Sequence, residues 1–94
     1  MQEDRTVEFY MNRFFRRYEM GELASQMKVE RIYRAVVGDF ISRLTTSVVF
    51  TQGTLRVRVL SAALRQELTM RREQLRQRIN HELGSDMVQK ISVG

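Results

Sequence analysis

The chain has 94 residues, 43% of them hydrophobic, and carries 16 basic and 11 acidic side chains for a formal net charge of +5. This length suits one small core, so we expect a single domain over residues 1–94. The absence of cysteine excludes disulfides and thiolate chemistry. The charged first residues and the lack of an apolar run of roughly 18 residues lead us to expect a cytoplasmic protein with no membrane partner.

The first predicted element is an amphipathic helix over residues 6–19. Its apolar residues recur at the three- and four-residue spacing that places one stripe against a core. Gly21 stands where a helix typically ends, and residues 22–28 are predicted to form a short helical turn with Leu23 and Met27 pointing inward. The apolar stripe of the helix consists of Val7, Tyr10, Met11, Phe14 and Tyr18.

A second helix is predicted over residues 29–43, with an apolar face wide enough for deep burial. Gly38 interrupts this helix, where it costs about 1 kcal/mol relative to alanine. We therefore expect Gly38 to permit the close approach of another backbone. The predicted apolar face consists of Val29, Ile32, Tyr33, Val36, Val37, Phe40 and Leu44.

From residue 47 the pattern alternates as in β-strands, and the segment reads as two strands joined by a tight turn at Gln52-Gly53. A two-residue turn pairs Phe50 with Leu55 and Val48 with Val57. Paired residues share a face of the sheet, so this register can be tested against polarity. One face then carries Val48, Phe50, Leu55, Val57 and Val59. The other face carries Ser47, Val49, Thr51, Arg56 and Arg58.

The longest helix is predicted over residues 62–83, with Ser61 as its N-cap and Gly84 at its end. A short third strand over residues 87–93 follows, with Lys90 pointing outward and Ile91 and Val93 inward. The inward stripe of the helix consists of Leu64, Leu68, Leu75, Ile79 and Leu83. The predicted order is α-(α)-α-β-β-α-β, an α+β domain with helices packed on one face of a three-stranded sheet.

The sequence gives little support for catalysis. It contains none of the common nucleophile, metal-protease or phosphate-binding motifs. Its single histidine, His81, falls on the outer face of a predicted helix beside Glu82. We therefore expect a protein that is not an enzyme, with no cofactor, no metal and no small-molecule substrate.

Arginines are concentrated in residues 70–78, where four fall within nine positions. In the simpler interpretation this is a solvated helix surface on which local acids offset the arginines. The expected pairs are Glu67 with Arg71, Glu73 with Arg76, and Arg78 with Glu82. That interpretation leaves Arg65 and Arg72 without partners on a shared edge of the helix.

In the second interpretation, arginines from two elements form a phosphate-binding surface whose attraction depends on salt and is largely independent of sequence. The candidates are Arg65, Arg72 and Arg76 from the long helix, gathered with Arg56 and Arg58 from the hairpin or with Arg13, Arg16 and Arg17 from the first helix. No aromatic residue falls on the outward sheet face, so base stacking on that face is not expected.

Several of these residues also form an ordered pattern. Tyr33-x-x-Val36-Val37-Gly38 precedes the hairpin, which ends in Leu55-x-Val57. The pattern S-x-x-L-R-x-E-L follows from Ser61 to Leu68, and N-x-x-L-G from Asn80 to Gly84. This combination resembles the bacterial DciA-like family, also described as domain of unknown function 721, over residues 7–93.

The resemblance implies a KH-like fold and a role as an accessory protein that contacts the replicative DNA helicase and binds single-stranded DNA. Tyr33 stands where the family commonly has tryptophan, a change that keeps an aromatic residue there. We assign partner contact to Tyr33, Arg13, Arg16 and Arg17. The 94 residues contain neither the GxxG loop of KH domains nor the basic extension of longer family members. We therefore expect weak DNA binding. A general KH-like nucleic-acid-binding module and a purely protein-interaction domain remain the alternatives.

Overall fold

In a computed structural model, the described residues form three helical elements, the first of them broken at Gly38, and a three-stranded sheet. The structure describes the backbone of residues 2–94 and the side chains of residues 7, 9–11, 13 and 20–94. The elements, in chain order, are α1 (Gln2–Leu44), β1 (Thr45–Thr51), β2 (Thr54–Val59), α2 (Ala62–Met70), α3 (Arg72–Leu83) and β3 (Lys90–Val93). This arrangement confirms the α+β class and is consistent with a small KH-like fold.

Helix α1 replaces the three predicted helical pieces. Gly21 does not end the helix, because one glycine costs only about 1 kcal/mol in a helix interior and the helical residues on both sides continue through it. The interruption occurs instead at Gly38, whose φ of 88° and ψ of 170° separate two helical segments. A Cβ at Gly38 would meet nothing within 4 Å, so the predicted close packing is wrong. The positive φ is what requires glycine there.

The core lies between the sheet and the helices, and α1 contributes to it from Val29 onward. Val29 and Tyr33 are fully buried, and partly buried side chains of the same helix pack against them. Phe40, predicted to be buried, is 69% exposed, because the break at Gly38 shifts the helical periodicity and Ile41 packs inward instead. The buried hydrophobic residues are Val29, Tyr33, Val48, Leu55, Val57, Val59, Leu68, Leu75, Ile79, Leu83, Val88 and Ile91.

The predicted inward residues of the first half of α1 are exposed. This is so for Val7, Tyr10 and Met11, and also for Leu23 and Met27. Gln26, between Leu23 and Met27, contacts β1, but these apolar side chains themselves remain exposed. The remaining members of the predicted stripe, Phe14 and Tyr18, lie outside the side chains that the structure describes.

The hairpin has the register predicted from its polarity pattern. Thr51 pairs with Thr54, Phe50 with Leu55, and the pairing continues to Ser47 with Arg58. Gln52 and Gly53 have φ values of 50° and 80°, the left-handed geometry that a two-residue hairpin turn requires. β3 pairs in parallel with β2, so the sheet is mixed, with strand order β1-β2-β3.

Helices α2 and α3 occupy the predicted long helix and form a crossover from β2 to β3. The Ser61 side chain accepts a hydrogen bond from the Leu64 amide, and Gly84 ends α3 with a φ of 70°, so both predicted caps are confirmed. The helix is divided at Arg71, although helical hydrogen bonds continue across it. β3 is shorter than predicted, because the preceding Val88 is tied to the helix layer rather than to β2.

Candidate nucleic-acid and protein interfaces

One face of the sheet is open, and its charged side chains are all basic. Arg56 and Arg58 alternate along β2 with buried residues that face the helices, so both arginines lie on the opposite face and are exposed. Lys90 is paired with Thr54 and lies on this face too. The other members of the face are Ser47, Val49, Thr51, Thr54 and Ser92. No carboxylate is present on this face within the described part of the chain.

On the helix layer, most arginines have carboxylate partners. The expected pairs are present: Arg71 with Glu67 at 2.8 Å, Arg76 with Glu73, and Arg78 with Glu82 at 4.0 Å. These pairs lie on helix surfaces and support the helix locally. They account for three of the five arginines of α2, α3 and the residue between them.

Arg76 is the most constrained of these arginines. Its Nε donates to both carboxylate oxygens of Glu73, at 3.1 and 3.0 Å, and its Nη1 donates to the Val88 carbonyl at 3.3 Å. Hydrogen bonding from Arg76 lowers the pKa of Glu73, and the same contact raises the pKa of Arg76. Arg76 therefore serves the structure of this region, and its guanidinium is less available to a ligand than that of an unpaired arginine.

Arg65 and Arg72 are exposed, and neither side chain makes a hydrogen bond or ion pair with the residues that the structure describes. Arg72 lies near the start of β3, where it lines a groove with Lys90 and Ile91. Its charge contributes to lowering the pKa of Glu73. The unpartnered pair expected from the sequence is thus present on the helix layer.

The five arginines proposed for nucleic-acid binding do not share one face. Arg56 and Arg58 lie on the open face of the sheet, whereas Arg65, Arg72 and Arg76 belong to the helices that cover the other face. The sequence placed the strand arginines outward correctly. The helices cover the apolar face of the sheet, so the outward strand arginines point away from the helix arginines.

The residues assigned to partner contact also separate. Tyr33 is fully buried, and its hydroxyl is 3.0 Å from Thr45 Oγ1, so it is a core residue rather than a surface contact. Arg13 is exposed, with its guanidinium 5.5 Å from the centre of the Phe9 ring. The side chains of Arg16 and Arg17 lie outside those that the structure describes.

Exposed apolar side chains cluster along the part of α1 that precedes the core. Phe9 and Tyr10 stack edge to face, with ring centres 5.8 Å apart. Among the side chains that the structure describes in this segment, the large exposed apolar ones are Val7, Phe9, Tyr10, Met11, Met20, Leu23 and Met27. An exposed apolar surface of this kind is typical of protein contact. Val7, Tyr10 and Met11 belong to the amphipathic stripe that we interpreted as facing the chain's own core, whereas Phe9 and Met20 were not part of that prediction.

The two edges of the sheet were not anticipated from the sequence. At the β1 edge, the Gln26 side chain donates from Nε2 to the Val48 carbonyl at 2.9 Å, and its Oε1 accepts from the Phe50 amide. At the β3 edge, no equivalent contact is found among the described residues. Nothing in the sequence around Gln26 indicates that its side chain bonds a strand rather than facing solvent.

The described residues contain no group of three or more His, Cys, Asp or Glu side chains arranged to hold a metal ion. No helix among them combines the length and apolar content that crossing a bilayer requires.

Comparison with known proteins gives one family. The family model described as "Dna[CI] antecedent, DciA" matches residues 6–93, nearly the whole chain. No curated protein matches the chain.

Proposed function

The chain belongs to the DciA family of helicase-associated proteins, and on this premise we propose that it binds single-stranded DNA weakly through the open face of its sheet. The family is a helicase accessory family with roles in DNA replication, and it is not a known enzyme family. Membership of the family supports a helicase as the kind of partner, and we propose that it is the replicative one. The surfaces that serve DNA and protein binding are our proposal.

The observation that carries the DNA proposal is the charge of the open face. Arg56, Arg58 and Lys90 lie there without a carboxylate among the described residues of the face. Guanidinium groups that no internal acid occupies are available to phosphate oxygens. A nucleic-acid backbone is the common ligand that presents phosphates in a row, so this face suits an extended strand.

The same face supports weak binding that does not depend on base sequence. It has no aromatic side chain on which bases could stack, and stacking is the main source of affinity in RNA-binding sheets of similar size. Phosphate contacts alone give affinity that falls steeply with salt. We expect binding to be measurable at low ionic strength and largely lost near physiological salt.

For the helicase contact, we propose the exposed part of α1. Its exposed apolar side chains, with Arg13 beside Phe9, are of the residue types that are enriched at protein interfaces. Arg16 and Arg17 belong to the same segment of sequence and are included in this proposal. The buried Tyr33 supports the surface only indirectly, by packing the part of α1 that holds it on the domain.

The DNA proposal is tested by fluorescence anisotropy with a labelled oligothymidine at low salt. The double variant Arg56→Gln with Arg58→Gln is expected to weaken binding about tenfold, since it removes two phosphate contacts. The matched control is Arg71→Gln with Arg78→Gln, which changes the net charge equally on the helix surface and is expected to bind within about twofold of the unmodified chain. Equal losses in both variants would show that net charge, and not this face, attracts the DNA.

The helicase contact is tested by pull-down from native extract, with and without nuclease. Retention of the replicative helicase after nuclease treatment, and its loss in a Phe9→Ser, Met20→Ser variant, would support contact through α1. A chain that binds oligonucleotides but retains no protein after nuclease would favour the general nucleic-acid-binding alternative. Helicase retention with no oligonucleotide binding at low salt would favour the protein-interaction alternative.

A further inference from the structure

The chain closes one edge of its sheet with its own side chain. On β1, the Val48 carbonyl and the Phe50 amide point away from β2, toward the free edge. Gln26 supplies the donor and the acceptor that a neighbouring strand would supply there. The β1 edge is therefore blocked by α1.

The other edge is formed by β3, and its hydrogen-bonding pattern leaves it open. The Lys90 amide donates to the Gly53 carbonyl, and Gly94 bonds Val57 and Val59 through its amide and carbonyl, so these residues direct their backbone toward β2. In a parallel ladder alternate residues face opposite sides. Ile91 and Val93 therefore direct their amides and carbonyls outward, where no described residue bonds them.

A basic groove runs beside this open edge. A space of about 280 Å³ lies between the start of β3 and the junction of α2 and α3, and Arg72 and Lys90 are among its lining residues. Glu73 also lines it, but Arg76 engages both of its carboxylate oxygens. The unpaired charge that the groove presents is consequently positive.

Arg65 extends the positive charge along the edge. It lies seven residues before Arg72, about two helical turns or 10 Å, and the helical hydrogen bonds continue across Arg71. Four residues of β3 span a similar length of about 10 Å. Because the crossover runs antiparallel to the parallel strands it connects, Arg72 lies near the Lys90 end and Arg65 toward the Val93 end. The two arginines without partners thus follow the open strand.

We propose that the β3 edge is a docking site for an extended, acidic segment of a partner protein, which adds to the sheet as a fourth strand. Its backbone bonds the outward amides and carbonyls of Ile91 and Val93, and its carboxylates meet Arg65 and Arg72. Strand addition of this kind draws affinity from main-chain hydrogen bonds and specificity from side chains. The β3 edge adjoins the proposed DNA-binding face and shares Lys90 with it, but the inference does not depend on DNA binding.

Amide hydrogen exchange of the full chain tests the geometry first. Ile91 and Val93 are expected to exchange at least about tenfold faster than Ser92, whose amide points into the sheet. Addition of an eight-residue acetylated peptide of alternating threonine and glutamate is expected to slow exchange at Ile91 and Val93. If these two amides are already protected in the free chain, or if the peptide binds without protecting them, the proposal is overturned.

Peptide affinity tests the chemistry of the occupant. The glutamate peptide is expected to bind, and a matched threonine–lysine peptide is not. Charge reversal by Arg65→Glu with Arg72→Glu is expected to reverse this preference, whereas Arg71→Glu with Arg78→Glu leaves it unchanged. Equal affinity of both peptides for the unmodified chain, or binding of neither, would refute an acidic partner strand.

A backbone variant separates strand addition from simple ion pairing. Val93→Pro removes an outward amide and leaves the hydrogen bonds of Ser92 and Gly94 to β2 in place. The affinity of this variant for the glutamate peptide is expected to be at least about fivefold lower than that of Val93→Ala, which shortens the same side chain but keeps the amide. Equal affinity of the two variants for the peptide would show that charge alone holds it and would refute the addition of a fourth strand.

Discussion

The side-chain amide of Asn80 forms hydrogen bonds with both the amide and the carbonyl of Val88. Its Nδ2 donates to the Val88 carbonyl at 2.8 Å, and its Oδ1 accepts from the Val88 amide at 3.0 Å. Both residues are buried. Because this contact fixes the chain between α3 and β3, it determines where the third strand begins and therefore how the open edge is presented.

Asn80→Ala is expected to lower the free energy of unfolding by about 1–3 kcal/mol. The Val88 amide would lose its partner while remaining buried, and an unsatisfied buried donor has a cost of that order. Urea unfolding measures the change. Gln74→Ala, at an exposed position of the same helix, is the control and is expected to stay within about 0.5 kcal/mol. Similar losses of unfolding free energy in the two variants would show that the hydrogen bonds between Asn80 and Val88 do not stabilise the fold.

Gln26→Ala is expected to have two effects, because Gln26 bonds both groups at the β1 edge. Loss of the bonds to Val48 and Phe50 should lower the free energy of unfolding by about 1–3 kcal/mol. The exposed edge should also promote self-association that increases with protein concentration. Urea unfolding and sedimentation velocity measure these effects, with Gln66→Ala as the control. If Gln26→Ala stays monomeric at high protein concentration, Gln26 is not needed to prevent association through the β1 edge.

Because of Tyr33, the free energy of unfolding should depend on pH in the alkaline range. Thr45 Oγ1 donates to the Ile41 carbonyl at 2.8 Å, so in the bond to Tyr33 it is the tyrosine hydroxyl that donates. Burial raises the pKa of Tyr33 above its ordinary value of 10.0. The neutral hydroxyl is therefore favoured by folding, and its contribution is fully present below the ordinary pKa and is lost as pH rises through the raised one.

Tyr33→Phe should accordingly have a pH-dependent effect. At neutral pH we expect it to lower the free energy of unfolding by about 1 kcal/mol, since Thr45 loses its donor. In alkaline solution the unmodified chain should lose stability as pH rises, and the variant should lose less. Urea unfolding across the alkaline range measures both curves. Parallel curves would show that Tyr33 does not control the pH dependence.

Two glycines of α1 should respond oppositely to alanine. Gly38→Ala is expected to lower the free energy of unfolding by about 1–3 kcal/mol, because its φ of 88° strains any side-chain-bearing residue. Gly21→Ala should raise it by up to about 1 kcal/mol, because Gly21 is helical and a Cβ there meets nothing within 4 Å. Thermal unfolding of both variants measures the two changes in stability. Stabilisation by Gly38→Ala would show that residue 38 does not need the positive φ that interrupts the helix.

DNA binding through the open face predicts a specific salt dependence. Each phosphate contact to single-stranded DNA contributes about 0.7 to the slope of log affinity against log salt concentration. Replacing Arg56 and Arg58 by glutamine should therefore reduce that slope by about 1.4. Anisotropy titrations over a series of salt concentrations measure it. An unchanged slope with weaker binding would mean that these arginines affect the fold of the face rather than contact phosphates.

The hairpin was predictable because its information is local. The alternation of polar and apolar residues admits one register for a two-residue turn, and that register is present. The caps at Ser61 and Gly84 were predictable for the same reason, since each depends on the residue type at one position.

The errors arose where a local pattern needed a distant partner to be interpreted. The stripe that includes Val7 and Met11 marks an amphipathic helix, but periodicity does not reveal whether the chain itself supplies the opposing surface. The exposed Phe40 shows how one residue with a positive φ changes the face that follows it. The division of the arginines between two faces follows from the polarity of the hairpin, because the helices cover its apolar face. The hypothesis of one patch that gathers helix and strand arginines overlooked this.

Pairing between β2 and β3 joins residues far apart in sequence, and this affects how the protein folds. Thr54 pairs with Thr51 across the hairpin but with Lys90 on the other side, a separation of 36 residues (90 − 54). Closing the longer loop is the slower event. We therefore expect the hairpin to form in the folding transition state and β3 to join after it. Substitutions in β3 should then accelerate unfolding with little effect on the folding rate.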